Sequence, residues 1–320
     1  MRTVALLLLI AGSLGCDSAT SADAGPADAG AVDASAPDAG PPALDPATFD
    51  CRASAPPDRA STRPLNCAVD AACTARLVSA HRGAGVPGVL APEDTLSAIR
   101  AAIALGADLT EVDAQPTSDD VLVLIHDETV QRTTEGRGRV SELTLAEIQA
   151  FPMRADAYSG DFSCDRVPTL VDALELARGR ITVIVDAKTD RIDLLVEAIV
   201  EADALDSVIV DLEPDEVDAA LALEPGLNFF VRAETVAELS PLLTRFTSPA
   251  PRYVNVGAST QEALLSAARD GGQRVFALAF GADVAAEVRG TTMGYESLWD
   301  DGVQILQCNR PDLAAPALSD

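Results

Sequence analysis

From residue 77 onward, short runs of Val, Ile and Leu alternate with Ala-, Leu- and Glu-rich stretches of helical period, and one connection in the series is shorter than its neighbours. The apolar runs are 77–81 (LVSAH), 109–114 (LTEVDA), 121–126 (VLVLIH), 181–187 (ITVIVDA), 206–212 (DSVIVDL), 227–232 (LNFFVR), 253–257 (YVNVG), 274–280 (RVFALAF) and 303–307 (VQILQ). Helices are predicted over 94–105, 168–178, 190–203, 214–223, 235–245, 260–269 and 295–301. Such alternation makes an α/β protein whose parallel sheet closes into a (β/α)8, or TIM, barrel, yet nine runs are one too many for eight strands. Between 114 and 121 stands only QPTSDD, whereas a parallel crossover takes about a dozen residues. The run 121–126 must therefore return antiparallel, as a β-hairpin at the C-terminal rim after strand 2. It carries His126 toward Glu111 and Asp113.

Composition is that of one such domain, expected as a monomer, over 77–320. Of the 320 residues 48% are hydrophobic and only 4% aromatic, so the core is built from Ala, Val, Leu and Ile. A formal net charge of -27 repels nucleic acid and the anionic face of a bilayer, which removes both as expected partners of the barrel. An anionic substrate would also be repelled at long range, so its site must hold a local cation or clustered arginines.

Residues 1–16 (MRTVALLLLIAGSLGC) have one positive charge, an apolar run too short to span a bilayer, and small residues before Cys16. This resembles a bacterial lipoprotein signal, which implies lipidation of Cys16 and an exported, cell-envelope protein touching membrane only through that anchor. Residues 17–50 are almost all Ala, Asp, Gly, Pro and Ser, a composition that cannot bury enough apolar surface to fold. They are expected to be a tether with a reach of about 30 Å. A Cys-containing lead-in, 51–76, follows. Of Cys51, Cys67, Cys73, Cys164 and Cys308, one or two bridges are expected with a thiol left over, in pairings the spacing does not decide.

In LTEVDAQ, Glu111 and Asp113 stand two apart, so a strand turns both carboxylates to one face. Two interior anions are costly unless a cation separates them, and oxygen ligands favour a hard ion, Ca²⁺ or Mg²⁺. A solvent-facing strand end would also accommodate them. In IVDAK, Asp186 and Lys188 repeat the spacing, and Lys188 is the one lysine among 23 basic residues. The position either needs a compact ammonium or holds a lysine in a simple salt bridge. Each of the two histidines, taken alone, could be a packed or surface imidazole. Yet His81 ends strand one, Glu111 and Asp113 end strand two, Asp186 and Lys188 end the third barrel strand, and the hairpin delivers His126 to the same rim. Barrel enzymes carry their sites there. Two histidines around a metal-bound anion suit acid/base hydrolysis at neutral pH.

The segment HRGAG…APEDTLSAIRAAIALGADLTEVDAQPTSDDVLVLIHDETVQRTTEGRGRVSELTLAEI resembles the N-terminal half of the glycerophosphodiester phosphodiesterases, with their HRG, PENT, E-x-D, HD and RTT elements in order. VPTLVDALELARGRITVIVDAK resembles the family's PTL helix and E-x-K strand, and GVQILQCNRPDLA its closing segment, so the likeness spans roughly 75–315. That family belongs to the phosphatidylinositol-phospholipase-C-like phosphodiesterase superfamily. The resemblance implies hydrolysis of small glycerophosphodiesters to sn-glycerol 3-phosphate and an alcohol. It implies His81 and His126 as the acid/base pair, and one divalent metal, Ca²⁺ or Mg²⁺, on Glu111, Asp113 and Asp186. Arg82 and Lys188 would bind the phosphate, and Glu93 would be a supporting site carboxylate.

Three positions depart from the pattern. Asp94 replaces Asn, Asp186 replaces Glu, and RVFALAF lacks the family's tryptophan, with Phe276 as the nearest aromatic and Trp299 the only Trp in the chain. The last leaves headgroup preference open. The rival readings are a phospholipase D-like enzyme acting on lyso- or sphingolipids, and a catalytically silent lipoprotein that binds ligand through its barrel.

Overall fold

The computed structural model describes residues 44–84, 90–258 and 260–318. The signal, Cys16, most of the tether and residues 85–89 of the glycine-rich turn after His81 lie outside the described residues. In chain order the elements are β1 (Leu77–Ala80), α1 (Leu96–Leu105), β2 (Leu109–Pro116), β3 (Leu122–Leu124), α2 (Leu145–Gln149), α3 (Leu170–Ala177), β4 (Thr182–Ala187), α4 (Ile192–Glu201), β5 (Val208–Asp211), α5 (Pro214–Leu223), β6 (Phe229–Arg232), α6 (Val236–Arg245), β7 (Tyr253–Asn255), α7 (Glu262–Asp270), β8 (Arg274–Leu278), α8 (Phe280–Arg289), α9 (Met293–Asp300), β9 (Ile305–Cys308) and α10 (Pro311–Ala317).

Eight parallel strands run β1-β9-β8-β7-β6-β5-β4-β2, and pairing of β1 with β2 closes the barrel. The ninth, β3, pairs antiparallel with β2 in the register Ala114↔Leu124, so the short QPTSDD link does make a hairpin. Strand alternation sorts the side chains. Val183 and Val185 of β4 face the helices, while Ile184 points inward. Leu77, Leu109, Ile184, Ile209, Phe230, Tyr253, Phe276 and Ile305 come one from each barrel strand and form a single internal cluster.

The lead-in seals the lower mouth. A 3-10 turn, Leu65–Ala68, adds buried Cys67 and Ala68 to that cluster, and Arg274 Nη1 donates to the Cys67 carbonyl at 2.7 Å. Cystines join Cys67 to Cys73 and Cys51 to Cys164, leaving Cys308 as a buried thiol. The expected tether boundary at 50 lies too far along the chain. Asp45 caps a turn at Pro46–Thr48, and Phe49 is buried against Phe162, with ring centroids 6.4 Å apart. One aromatic in a polar stretch suffices to dock it.

Two other expectations shift. The run 274–280 ends as a strand at Leu278, and Phe280 opens α8, a helix the sequence reading lacked. The hairpin also leads into an excursion, residues 125–167, whose Ile125, Val130, Val140, Ile148, Met153 and Val167 form a separate core with Val123 of β3. Its helix α2 begins with a reciprocal Thr144/Glu147 capping box.

Asp165, before α3, accepts a hydrogen bond from Ser97 Oγ at 3.0 Å and is otherwise buried, which pushes its carboxyl up to about 6. A raised folded-state value favours the protonated form, so its contribution is intact below the unfolded value near pH 4 and is lost as pH rises through about 6. Asp165→Asn is therefore expected to be more stable than the parent by about 2–3 kcal/mol at pH 8. Urea unfolding at both pH values checks this, the advantage vanishing at pH 4.

Candidate active site

Two residues above the internal cluster, the inward positions turn polar. Leu109 gives way to Glu111, Ile184 to Asp186, Ile209 to Asp211, Phe230 to Arg232, Tyr253 to Asn255 and Ile305 to Gln307, all of which line a cavity of about 160 Å³ at the strand C-termini. His81, Arg82, Asp113, His126, Lys188, Leu278 and Phe280 complete it. Every expected site residue except Glu93 lines this one cavity; Cys16 lies outside the described residues.

The loop after β1 is locked onto β2. Arg82 adopts a left-handed backbone, φ 52°, and its N–H donates to Glu111 Oε2 at 3.0 Å. Asp94, φ 55°, accepts from the Asp113 N–H at 3.2 Å. Gly83, φ 82°, lies so close to α1 that a Cβ there would collide with Ala98. This is why glycine completes the HRG triplet.

His81 is anchored through Nδ1 to Asn309 Oδ1 at 2.8 Å, and its Nε2 lies 3.8 Å from Glu111 Oε2. Burial draws its value down to about 4, outweighing the Asn309 hydrogen bond, so the imidazole is neutral at pH 7. An amide oxygen on Nδ1 fixes the proton there and leaves Nε2 as an acceptor. His126 follows β3 by two residues, so its backbone is not part of the expected strand 121–126. Gln115 Nε2 instead holds that backbone, at 2.8, 3.0 and 2.9 Å from the carbonyls of Ile125, His126 and Asp127. The His126 Nδ1 meets Asp127 Oδ1 at 2.9 Å.

Glu111, Asp113 and Asp186 each present an oxygen within 4.8 Å of the others. Burial, then repulsion from Asp113 and Asp94, pushes the Glu111 carboxyl well above its ordinary range. Burial likewise raises Asp113 against the pull of Lys188. Asp113 Oδ2 is buried with no hydrogen bond, although Arg82 Nε lies 3.3 Å away, out of line for one. Lining the cavity are four carboxylates against Arg82, Lys188 and Arg232, a formal charge of -1 that one divalent ion would turn to +1. Crowded, buried, partly unsatisfied oxygens fit a divalent metal.

The cations of the rim each stand between two carboxylates. Arg132 joins Asp127 and Glu93 at 2.7 Å each, Arg82 joins Glu93 at 2.9 Å and Asp113 at 3.3 Å, and Lys188 joins Asp113 at 3.2 Å and Asp186 at 2.5 Å. Arg232 lies 3.6 Å from Asp186 and is gripped by Asp211. Glu93 is thus behind the cavity, not in it. Burial pushes its carboxyl up, but hydrogen bonds from Arg132 and Arg82 outweigh this and hold it below its ordinary value. Asn309, Asp127, Arg132, Asp211, Arg232, Asn255 and Gln307 are residues that the sequence reading missed. The polar end of each apolar strand was the available signal for Asp211, Arg232, Asn255 and Gln307. Phe276 is not the pocket aromatic either; it stacks on Phe230 in the internal cluster, and Phe280 meets the His81 ring at 5.0 Å.

The model of the glycerophosphoryl diester phosphodiesterase family matches residues 81–277, well over half of the chain. The chain belongs to that family. It is 46% identical over 103 residues to a glycerophosphodiester phosphodiesterase of Caldanaerobacter subterraneus, a match covering 31% of this chain and 40% of the relative. The matched stretches span a third to two fifths of the first such relatives. The crystal structure of glycerophosphodiester phosphodiesterase from Agrobacterium tumefaciens superposes with a TM-score of 0.63 at 25% identity, covering 76% of this chain and 99% of that one. An Oleispira antarctica phosphodiesterase, solved with the product sn-glycerol-3-phosphate, shares the fold at TM-score 0.65 and 20% identity, covering 78% and 99%.

A divalent cation at about 100 times its Kd is expected to stabilise the protein by about 3 kcal/mol, read as a rise in unfolding temperature that EDTA abolishes. Glu111→Gln should lose that rise and, in EDTA, should be at least as stable as the parent, because one repelling carboxylate is gone. An undiminished rise in Glu111→Gln would remove Glu111 from the ligand set.

Proposed function

We propose that the protein hydrolyses glycerophosphodiesters to sn-glycerol 3-phosphate and an alcohol, with His81 and His126 moving the protons and Glu111, Asp113 and Asp186 holding one Ca²⁺ or Mg²⁺. The observation that carries this reading is a single cavity lined by both histidines, the carboxylate triad and three cations. The product bound to the Oleispira fold neighbour is consistent with a phosphate at this mouth.

The bound ion would supply positive charge for a nonbridging phosphate oxygen. The protein's own groups do the rest. Lys188 and Arg232 offer charge to the phosphate, Lys188 as a compact ammonium and Arg232 as a fork held by Asp211. Arg82, which also lines the cavity, is committed to Glu93 and Asp113, where its charge offsets the repulsion among the triad carboxylates and adds to the charge offered to the phosphate. A neutral, buried His81 with Nε2 unprotonated accepts a proton from the attacking hydroxyl or water. His126, whose side chain is 38% exposed and bears Asp127 on Nδ1, gives a proton to the departing alkoxide. Phe280 and Leu278 form the apolar wall beside His81 and shape the room left for the alcohol.

The chain is further read as exported and held at the cell envelope by lipid on Cys16. Two cystines in the described residues favour an oxidising compartment.

Purified protein with Mg²⁺ or Ca²⁺ is expected to release sn-glycerol 3-phosphate from glycerophosphocholine, and His81→Ala or His126→Ala to lower kcat by about 100-fold or more. Turnover of lysophosphatidylcholine alone would move the assignment to a lipase of the phospholipase D type. No turnover of any diester with any divalent ion would leave only a binding protein.

A further inference from the structure

We infer that Arg132 is a positioning residue that couples the two histidine-bearing segments and thereby aims His126 at the leaving group. The inference rests on the phosphodiesterase reading above. Arg132 lies in the excursion after β3 and does not line the catalytic cavity; it lines a neighbouring one with Pro92, Arg154 and Tyr158. Its guanidinium nevertheless makes four charge-assisted hydrogen bonds to two carboxylates. Nε and Nη2 reach Asp127 Oδ2 and Oδ1 at 2.7 and 3.0 Å, and Nη1 and Nη2 reach Glu93 Oε2 and Oε1 at 2.7 Å each.

Each carboxylate controls one side of the site. Asp127 Oδ1 is the partner of His126 Nδ1, so the fork that fixes the Asp127 plane also fixes the imidazole. Glu93 Oε1 accepts from Arg82 Nη1 at 2.9 Å, and Arg82 belongs to the segment that carries His81. Glu93 is 3% exposed and Asp127 about a third exposed, so the buried carboxylate is the fixed post and the surface one is what Arg132 steadies. A planar fork can hold two carboxylates in set orientations, whereas an ammonium offers donors from one point.

As the oxygen that gives its proton to His81 bonds to phosphorus, the bond from phosphorus to the leaving oxygen breaks, and that oxygen keeps the electron pair and takes the proton from His126. An alkoxide needs that proton; a 4-nitrophenolate does not. Loss of aim should therefore fall on the first leaving group and spare the second, a selectivity that general weakening of the fold would not produce.

The test uses the full chain with Mg²⁺ and two glycerol phosphodiesters, one of choline and one of 4-nitrophenol. Arg132→Lys is expected to lower kcat by about 100-fold on the choline diester and by less than about 5-fold on the nitrophenyl diester, with KM little changed. Asp127→Asn should give the same selective loss, and the double variant should be no worse than either. If Arg132→Lys shows no cooperative unfolding transition, Arg132→Gln, whose amide can meet Glu93 but cannot also span to Asp127, is read by the same ratio. Equal losses on both substrates, or no loss, would overturn the role of Arg132 while leaving the phosphodiesterase reading intact. A parent protein that cleaves neither diester would overturn that reading and this inference with it.

Discussion

The site depends on a floor it does not contain. Eight inward side chains, one from each barrel strand and all apolar or aromatic, fill the barrel beneath the charged rim. Close packing there leaves the strands no freedom to slip, and because side chains alternate with period two, the next inward position opens into the cavity above on seven of the eight strands. Shifting β2 by one residue would bury Val112 inside and turn Glu111 and Asp113 against the helices. The placement of the candidate site is thus a register effect. It is held by burial below, where the lead-in turn at Leu65–Ala68 stops the lower mouth.

Above the floor, a chain of alternating charge runs around the rim from Asp127 through Arg132, Glu93, Arg82, Asp113, Lys188, Asp186 and Arg232 to Asp211. Each cation bridges residues from different segments, so strands already paired through their backbones are coupled a second time, through charge, to one another and to the hairpin and the loop after β1. On the function proposed above, a protein of net charge -27 must receive a phosphodiester at this ring. The far field is negative but is screened beyond about 8 Å at physiological salt, and because carboxylates also outnumber cations in the ring, attraction at contact would rest on the divalent ion that turns the cavity from -1 to +1.

Much of this was legible because it is local or periodic. The strand order follows from the alternation, and the hairpin follows from six residues that cannot cross a sheet. Both histidines, the triad and Lys188 follow from strand ends. Asp211, Arg232, Asn255 and Gln307 obey the same rule, an inward polar residue two beyond an inward apolar one. Asn309 and Arg132 do not; their roles come from contacts across 228 and 39 residues of chain, for which no spacing is diagnostic. Phe280 was hidden differently, since LAF continues an apolar strand pattern in sequence while the backbone turns into α8 after Leu278.

Asp186 shows how such a ring can absorb a change in side-chain length. A carboxylate one methylene shorter than Glu reaches less far into the cavity, which by itself would leave the triad open on the β4 side. Here Lys188 closes on Asp186 from just beyond the end of β4, and Arg232 approaches from β6 while Asp211 fixes its plane from β5. The register Asp186↔Asp211 places those two carboxylates side by side, and one guanidinium lies against both. The shorter carboxylate is therefore steadied by Lys188 and Arg232 while still presenting an oxygen within 4.8 Å of those of Glu111 and Asp113. A position that departs from the family resemblance thus stands among three charged neighbours, Lys188, Arg232 and Asp211.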